Sequence, residues 1–231
     1  YDMVITGGSE EFGWIHCLGF DVMRALSRSY NDDPAKASRA FDRDRDGFVI
    51  ASGCGIMVLE SGEHVDARGG KKYAKISGCA ANSNGKDMVF PDPDFSAMVM
   101  GDAIKDAGLQ IEQIDYINTH GTSTPVGDPI EMRAISKVFG DYAPKVAINS
   151  TKSMTGHMIG ATGAVEVIFA SMMIDKRFLC PSVNLENPEA EFEWANYITS
   201  TREDVDIRHA LSNSLGFGGT NSALVISAPD A

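Results

Sequence analysis

The second half of the chain alternates short apolar runs of strand length with longer runs of helical length. Ile114–Asn118 and Val146–Asn149 are predicted strands, and each leads into a polar loop. A predicted helix follows each loop, Pro129–Phe139 after the first and Gly160–Ile174 after the second. Strands that alternate with helices in this way are typical of layered α/β folds. The chain is therefore predicted to have an α/β fold.

The remaining elements follow the same reasoning. Further strands are predicted at Asp2–Thr6, Phe48–Glu60, Tyr73–Ala81, Tyr197–Thr201, Ala210–Ser214 and Ala223–Ser227, and further helices at Phe12–Leu26 and Phe95–Ala107. Asp2–Thr6 is expected to be a buried strand, and the glycines of Phe48–Glu60 indicate either a bulge or a close approach of two backbones. Gly160–Ile174 is almost entirely small or apolar, which predicts a helix buried on most sides.

The composition excludes some partners. The chain has 231 residues, and its 20 basic and 32 acidic side chains give a formal net charge of −12. An acidic protein is poorly suited to bind nucleic acid or an anionic membrane. No signal-peptide pattern is present and no apolar run is long enough to cross a membrane, so a cytoplasmic location is expected. A docking patch for an acidic partner would have to be a local basic cluster. Six basic residues concentrate early, and they are interpreted as a solvated face rather than as such a patch: Arg24, Arg28, Lys36, Arg39, Arg43 and Arg45.

The four cysteines carry no recognisable site. Cys17, Cys54, Cys79 and Cys180 form no CxxC pair, which argues against a disulfide framework or a metal site. Cys54 and Cys79 lie in apolar runs and are expected to be buried. None lies at a glycine-flanked helix start, the setting that lowers a thiol pKa, so no cysteine is assigned as a nucleophile.

Three segments carry the candidate chemistry: NTHGTSTPVGD at 118–128, NSTKSMTGHMIG at 149–160 and LSNSLGFGGTN at 211–221. A single histidine in a loop of Gly and Thr is more often structural than functional. Two such loops, each following an apolar strand, favour a shared site for His120 and His157. Lys152 is a third candidate, because a lysine among small residues in such a loop is normally paired. The glycine-rich segment lacks the spacing of a phosphate-binding loop.

These three segments, together with EEFGWIHCLGFD and FDRDRDGFVIASG, resemble in order the β-ketoacyl-acyl carrier protein synthases. The likeness is greatest to the type I condensing enzymes of fatty-acid synthesis, although Leu215 stands where the family often has phenylalanine. The resemblance implies a thiolase-like αβαβα layered fold, with residues 1–75 as the end of a truncated N-terminal half and 76–231 as a complete C-terminal half. The family's nucleophilic cysteine lies upstream, so this chain is interpreted as a fragment that is inactive alone.

The resemblance also implies a reaction. It is the decarboxylative Claisen condensation of an enzyme-bound acyl thioester with malonyl-acyl carrier protein, which yields 3-oxoacyl-acyl carrier protein. His120 and His157 are expected to donate N–H groups to the enolate oxygen. Lys152 is expected to orient a histidine or to keep it neutral, and Glu131 is expected to support the site as the carboxylate partner of Lys152.

The remaining implied roles concern substrate binding. Thr122 and Thr124 alternate, so in an extended segment both hydroxyls face one side, where they could equally satisfy a turn. The resemblance implies that they contact the pantetheine arm. The backbone N–H of Phe217 is expected to form one side of an oxyanion hole. Gly218 and the aromatic ring of Phe20 are expected near the acyl pocket.

No cofactor or metal is expected, since the substrates arrive on the phosphopantetheine of acyl carrier protein. The expected partners are that carrier, a second copy in a homodimer, and the upstream segment of the same enzyme. Two alternatives remain: a non-catalytic fragment or partner subunit, and another thiolase-fold acyltransferase. The presence of both histidines and Lys152 favours an active enzyme. Thiolases use a second cysteine in place of one histidine, whereas this chain has GFGG.

Overall fold

A computed structural model describes residues 1–231. Its strands are β1 (Met3–Glu10), β2 (Gly53–Glu60), β3 (Lys75–Ser83), β4 (Tyr116–Asn118), β5 (Ala147–Asn149), β6 (Phe178–Leu179), β7 (Asn196–Tyr197), β8 (Arg202–Glu203), β9 (His209–Leu215) and β10 (Thr220–Ser227). Its α-helices are α1 (Trp14–Val22), α2 (Gly62–Ala67), α3 (Pro93–Asp106), α4 (Gly127–Phe139), α5 (Lys152–Thr155) and α6 (Thr162–Lys176). None of these helices combines the length and apolar character needed to span a bilayer.

A six-stranded sheet with the order β3-β10-β9-β4-β5-β7 forms the centre of the fold. Strands β9, β4, β5 and β7 are parallel, and β10 runs antiparallel to both of its neighbours. Parallel strands have their carboxyl ends at one edge of a sheet, where α/β proteins commonly bind ligands. The loops after β4, β5 and β9, which contain the three candidate segments, therefore meet at the same edge.

Neighbouring residues of each central strand point to opposite faces of this sheet. Ile117, Ile148 and Leu211 join the larger core cluster, in which apolar side chains of α3 and α4 also pack. Tyr116 and Ala210 join the second cluster, on the other face, with α6. This layering confirms the α/β prediction.

Helix α6 lies between two sheets. One side packs in the second core cluster, and its N-terminal turns support the two-stranded antiparallel sheet β1-β2. Glycines allow the close approach: a Cβ on Gly8 would lie 2.5 Å from the Gly160 carbonyl oxygen, and one on Gly55 would lie 3.0 Å from the Val165 nitrogen. The predictions of a mostly buried helix and of a close backbone approach are both confirmed.

The prediction of a buried strand at Asp2–Thr6 is wrong. A strand forms there, but β1 pairs only with β2. The sheet packs on α6 with one face only, so Met3 is 47% exposed and Ile5 is 72% exposed. Ile56 and Val58 of β2 are exposed as well. The outer surface of this sheet is therefore an apolar patch.

Three smaller predictions also fail. Cys54 and Cys79 are exposed rather than buried, because Cys54 shares the open side of β2 with Ile56 and Cys79 lies on an edge strand. The solvated-face interpretation fails for Arg39 and Arg45, which are 4% and 6% exposed and are paired with carboxylates. Helices α2 and α5 were not anticipated, because six and four residues are too few to show helical periodicity.

The division of the chain at residue 75 stays a prediction. The sheet β1-β2 lies before that point, and the six-stranded sheet begins with β3 at Lys75.

We expect Gly78→Ala and Gly101→Ala to have opposite effects on stability. A Cβ on Gly78 would lie 2.3 Å from the Ala103 carbonyl oxygen of α3, whereas a Cβ on Gly101 meets no atom within 4 Å. Overpacking should lower the free energy of unfolding by about 1–3 kcal/mol for Gly78→Ala. Helix propensity should raise it by up to ~1 kcal/mol for Gly101→Ala. Urea denaturation measures both, and a neutral Gly78→Ala would contradict the packing of β3 on α3.

Candidate active site

The three candidate loops enclose one cavity of about 660 Å³ at the carboxyl edge of the central sheet. His120, Thr122 and Thr124 come from the loop after β4, His157 from the loop after β5, and Phe217 from the turn after β9. Phe20 of α1 completes one wall. The cavity thus brings together most of the residues that the sequence singled out.

The two histidines converge on this cavity. Their ring centroids are 5.5 Å apart and their planes are nearly perpendicular, at 86°. At this separation both rings can reach one small group placed between them.

Both imidazoles are held in the neutral form. Burial, followed by the positive charge of Lys152, lowers the pKa of His120 well below its usual 6.5. The same two causes lower the pKa of His157 to about 3. A neutral imidazole has one N–H donor, and the hydrogen bonds of the other nitrogen decide where that proton sits.

The proton of His157 is assigned to Nε2 by its hydrogen bonds. Nδ1 accepts from the Ile159 backbone N–H, 3.3 Å away, and lies 3.1 Å from the Thr162 hydroxyl oxygen. A nitrogen that accepts a backbone N–H has no proton of its own. His157 therefore presents an N–H donor from Nε2.

Lys152 is buried and forms an ion pair with Glu166, with 2.7 Å between Nζ and Oε1. The prediction that Glu131 is the partner of Lys152 is wrong. Glu166 lies in the second turn of α6, directly beside the start of α5, and its Oε1 also accepts from the Thr151 hydroxyl at 3.2 Å. The sequence does contain a signal for this pair. Glu166 is the lone carboxylate in the apolar run 160–174, and a buried carboxylate needs a cation nearby.

Glu131 supports His120 in a different way. One carboxylate oxygen accepts the backbone N–H of His120 and the other accepts that of Gly121, both at 2.8 Å. The amide of Asn213 donates to the same carboxylate at 3.3 Å. Burial raises the pKa of Glu131 to about 7, against the opposing effect of these donors. Glu131 thus anchors the loop that carries His120 through backbone N–H groups, and not as the partner of Lys152.

Aromatic rings form a continuous wall beside His157. Phe48 lies 5.3 Å from the His157 ring, Phe20 lies 5.1 Å from Phe48, and Phe217 lies 6.0 Å from Phe20, measured between ring centroids.

Gly218 is not part of the cavity wall, and its N–H donates to the Met88 carbonyl oxygen at 2.7 Å. The expected contact of Gly218 with substrate is therefore wrong. Gly218 has a φ of +78°, which glycine adopts readily, and it shapes the turn instead.

The hydroxyls of Thr122 and Thr124 face the same side of their loop, with 3.2 Å between the two Oγ1 atoms. Both residues line the cavity. By contrast, none of the four cysteines belongs to the cavity wall.

Comparison with known proteins identifies the class of this fold and site. Residues 73–186 match the C-terminal domain of beta-ketoacyl synthase, and residues 1–64 match the N-terminal domain of the same family. The chain belongs to the β-ketoacyl synthase family.

The chain is 49% identical over 224 residues to 3-oxoacyl-[acyl-carrier-protein] synthase 1 of Haemophilus influenzae, covering 97% of this chain and 54% of that protein. It is 47% identical over 225 residues to the corresponding protein of Escherichia coli K12, again covering 97% of this chain and 54% of that protein. The chain thus spans about half the length of the curated relatives that it matches.

Solved structures give the same fold. A type II polyketide synthase acyl-carrier protein complex with its ketosynthase matches with a TM-score of 0.94 and 35% identity, covering 98% of this chain and 56% of that one. A beta-ketoacyl synthase from Burkholderia phymatum matches with a TM-score of 0.93 and 35% identity, covering 98% and 55%.

We expect removal of the Lys152 charge to raise the pKa of His157 from about 3 toward 6.5, because that charge disfavours the imidazolium. Lys152→Met alone leaves the Glu166 carboxylate buried without a partner, at a cost of roughly 3–5 kcal/mol. The double variant Lys152→Met/Glu166→Gln avoids this and is the one to titrate by NMR. Lys137→Met, which removes an exposed lysine of α4, is the control. An unchanged His157 pKa in the double variant would contradict the electrostatic role of Lys152.

We expect Glu131→Gln to loosen the His120 loop. A glutamine side chain has one acceptor oxygen, so its amide group would face either the His120 or the Gly121 N–H as a second donor. An unsatisfied buried donor costs about 1–3 kcal/mol, which thermal denaturation would detect. Asp141→Asn, at an exposed position, is the control. Equal stability of the two variants would mean that the carboxylate does not anchor this loop.

Proposed function

We propose that this chain carries the enolate-stabilising half of the active site of a 3-oxoacyl-[acyl-carrier-protein] synthase. The observation that carries the proposal is the pair of neutral, nearly perpendicular imidazoles on one cavity wall. Two neutral donors that converge on one point suit an oxygen whose negative charge develops during the reaction. Protonated imidazoles would also attract the malonyl carboxylate in the ground state, whereas neutral donors favour the later enolate.

In the proposed reaction, the bond between the malonyl carboxylate and the central carbon breaks first. Carbon dioxide leaves, and the electron pair moves into an enolate whose oxygen accepts N–H donors from His120 and His157. The enolate carbon then attacks an acyl thioester, a carbon–carbon bond forms, and the thiolate leaves. Burial, together with the positive charge of Lys152, keeps both imidazoles neutral, while Glu131 fixes the backbone of His120.

The nucleophile is proposed to lie in the part of the relatives' length that this chain does not span. Support comes from the cavity, whose wall contains none of Cys17, Cys54, Cys79 or Cys180. The Phe217 backbone N–H is proposed as one oxyanion donor, because the turn after β9 places this residue on the cavity wall. Residues 1–231 alone are therefore proposed to lack condensing activity.

The acyl carrier protein is the proposed partner, with Thr122 and Thr124 receiving its pantetheine arm. Support comes from the two hydroxyls on the cavity wall and from the matched ketosynthase, which is described in complex with an acyl-carrier protein. The 49% identity to 3-oxoacyl-[acyl-carrier-protein] synthase 1 of Haemophilus influenzae supports malonyl and fatty-acyl substrates. A homodimer is proposed from family membership alone.

The test uses the full-length enzyme that contains this chain and measures decarboxylation of malonyl-acyl carrier protein. His120→Ala and His157→Ala should each lower kcat by roughly 10²-fold or more, as loss of an oxyanion-type donor does. Transfer of the acyl group to the nucleophile should fall much less, because it forms no enolate. His64→Ala, a half-exposed histidine of α2, is the matched control and should leave both steps unchanged. Variants of His120 and His157 that retain the control's decarboxylation rate would refute the proposed function.

A further inference from the structure

The segment that carries Thr122 and Thr124 has no regular structure of its own. Residues 119–126 belong to no helix or strand. Ser123 is fully buried and has a φ of +70°, a left-handed conformation that a residue with a side chain adopts only when its surroundings impose it. The positions of the two threonine hydroxyls therefore depend on contacts from elsewhere in the chain.

Arg45 supplies two of these contacts. Its Nε donates to the Thr124 carbonyl oxygen at 2.8 Å, and its Nη2 donates to the Pro125 carbonyl oxygen at 3.1 Å. Nη2 also pairs with the Glu189 carboxylate at 2.6 Å, and Nη1 donates to the Asp42 carbonyl oxygen at 2.9 Å. The planar guanidinium thus holds two successive carbonyl groups of the loop at fixed angles.

Asp128 holds the same residue from the other side. Its Oδ1 accepts the Thr124 backbone N–H at 3.2 Å, and its Oδ2 accepts the Phe41 N–H at 2.9 Å and lies 3.7 Å from Arg45 Nε. Both the N–H and the carbonyl of Thr124 are therefore held by one buried ion pair. The Thr124 hydroxyl is fixed further by the Gly127 N–H, at 3.1 Å.

We infer that Arg45 is a positioning residue for substrate binding: by holding the carbonyls of Thr124 and Pro125, it sets the Thr122 and Thr124 hydroxyls at the spacing that the substrate arm requires. Arg45 itself does not line the cavity, so it acts through the loop. The chemistry recognised is an extended arm with amide groups, next to the thioester. This inference rests on the proposed function, since that function makes the cavity the site of such an arm.

Arg39 provides a matched control. It is as buried as Arg45 and pairs with Asp42 at 3.0 Å, but its side chain makes no hydrogen bond to residues 119–126. Loss of Arg39 should therefore lower stability without changing the threonine hydroxyls. A purely structural role for Arg45 would make the two variants behave alike.

The experiment compares Arg45→Met, Arg45→Lys and Arg39→Met in the full-length enzyme, with malonyl-pantetheine and malonyl ethyl thioester as substrates. For Arg45→Met, KM for malonyl-pantetheine should rise about tenfold, equivalent to ~1.4 kcal/mol, with kcat almost unchanged. KM for the ethyl thioester, which has no amide groups, should stay the same. Arg45→Lys keeps the buried charge and so protects folding. It should still raise KM for the pantetheine substrate, because one ammonium cannot hold both carbonyls and Glu189.

Calorimetric binding of pantetheine gives a readout that needs no catalysis. Weaker binding by Arg45→Met and Arg45→Lys, with Arg39→Met matching the parent, would support the inference even in an enzyme that fails to decarboxylate malonyl thioesters. Such a failure would count against the proposed function alone. Unchanged pantetheine binding and KM in Arg45→Lys would overturn the inference, as would equal increases in KM for both thioesters.

Discussion

The buried ion pair between Lys152 and Glu166 is the interaction on which the rest of the site depends. It joins the loop after β5 to helix α6, with 2.7 Å between the charged atoms and almost no exposure of either side chain. Isolated charges are seldom buried, because the free-energy cost of removing a charge from water exceeds the stabilisation from a single weak contact. The pair allows a positive charge to be buried close enough to influence both histidines. That charge, added to burial, lowers the pKa of both imidazoles and leaves them as neutral donors.

Two further buried carboxylates support the site by accepting hydrogen bonds from backbone N–H groups. Glu131 accepts consecutive N–H groups from His120 and Gly121, and Asp128 accepts the N–H of Thr124. Both side chains come from the first turns of α4, so one short helix anchors successive parts of a single loop. Loops without secondary structure need such external partners for their buried polar groups. The histidine and the threonines therefore share one rigid support.

The central sheet and the β1-β2 sheet differ sharply in how they are covered. The six-stranded sheet has helices on both faces and two large core clusters, whereas β1-β2 packs on α6 with one side and leaves apolar residues open on the other. Apolar patches of this kind mark surfaces suited to contact with other protein. The candidate cavity lies on the well-packed part of the fold, but Phe20 and Phe48 contribute to it from the early part of the chain. Both regions are thus needed for the aromatic wall.

The sequence by itself determined the fold class and the positions of most long elements, and it singled out the two histidines and Lys152 as candidates. These features are local: apolar periodicity predicts strands and helices, and Gly–Thr–His loops after strands indicate a site. Only the tertiary structure decided which charges pair. Glu131 and Glu166 are both acidic residues within predicted helices, and their spacing from Lys152 does not distinguish an ion-pair partner from a backbone anchor. The apolar run around Glu166 predicts a buried carboxylate but does not say which cation it meets. The same holds for Arg39 and Arg45, which look like surface charges in the sequence and are buried because Asp42, Asp128 and Glu189 surround them. Pairing of buried charges is a long-range property: Arg45 and Glu189 form an ion pair although they lie far apart along the chain.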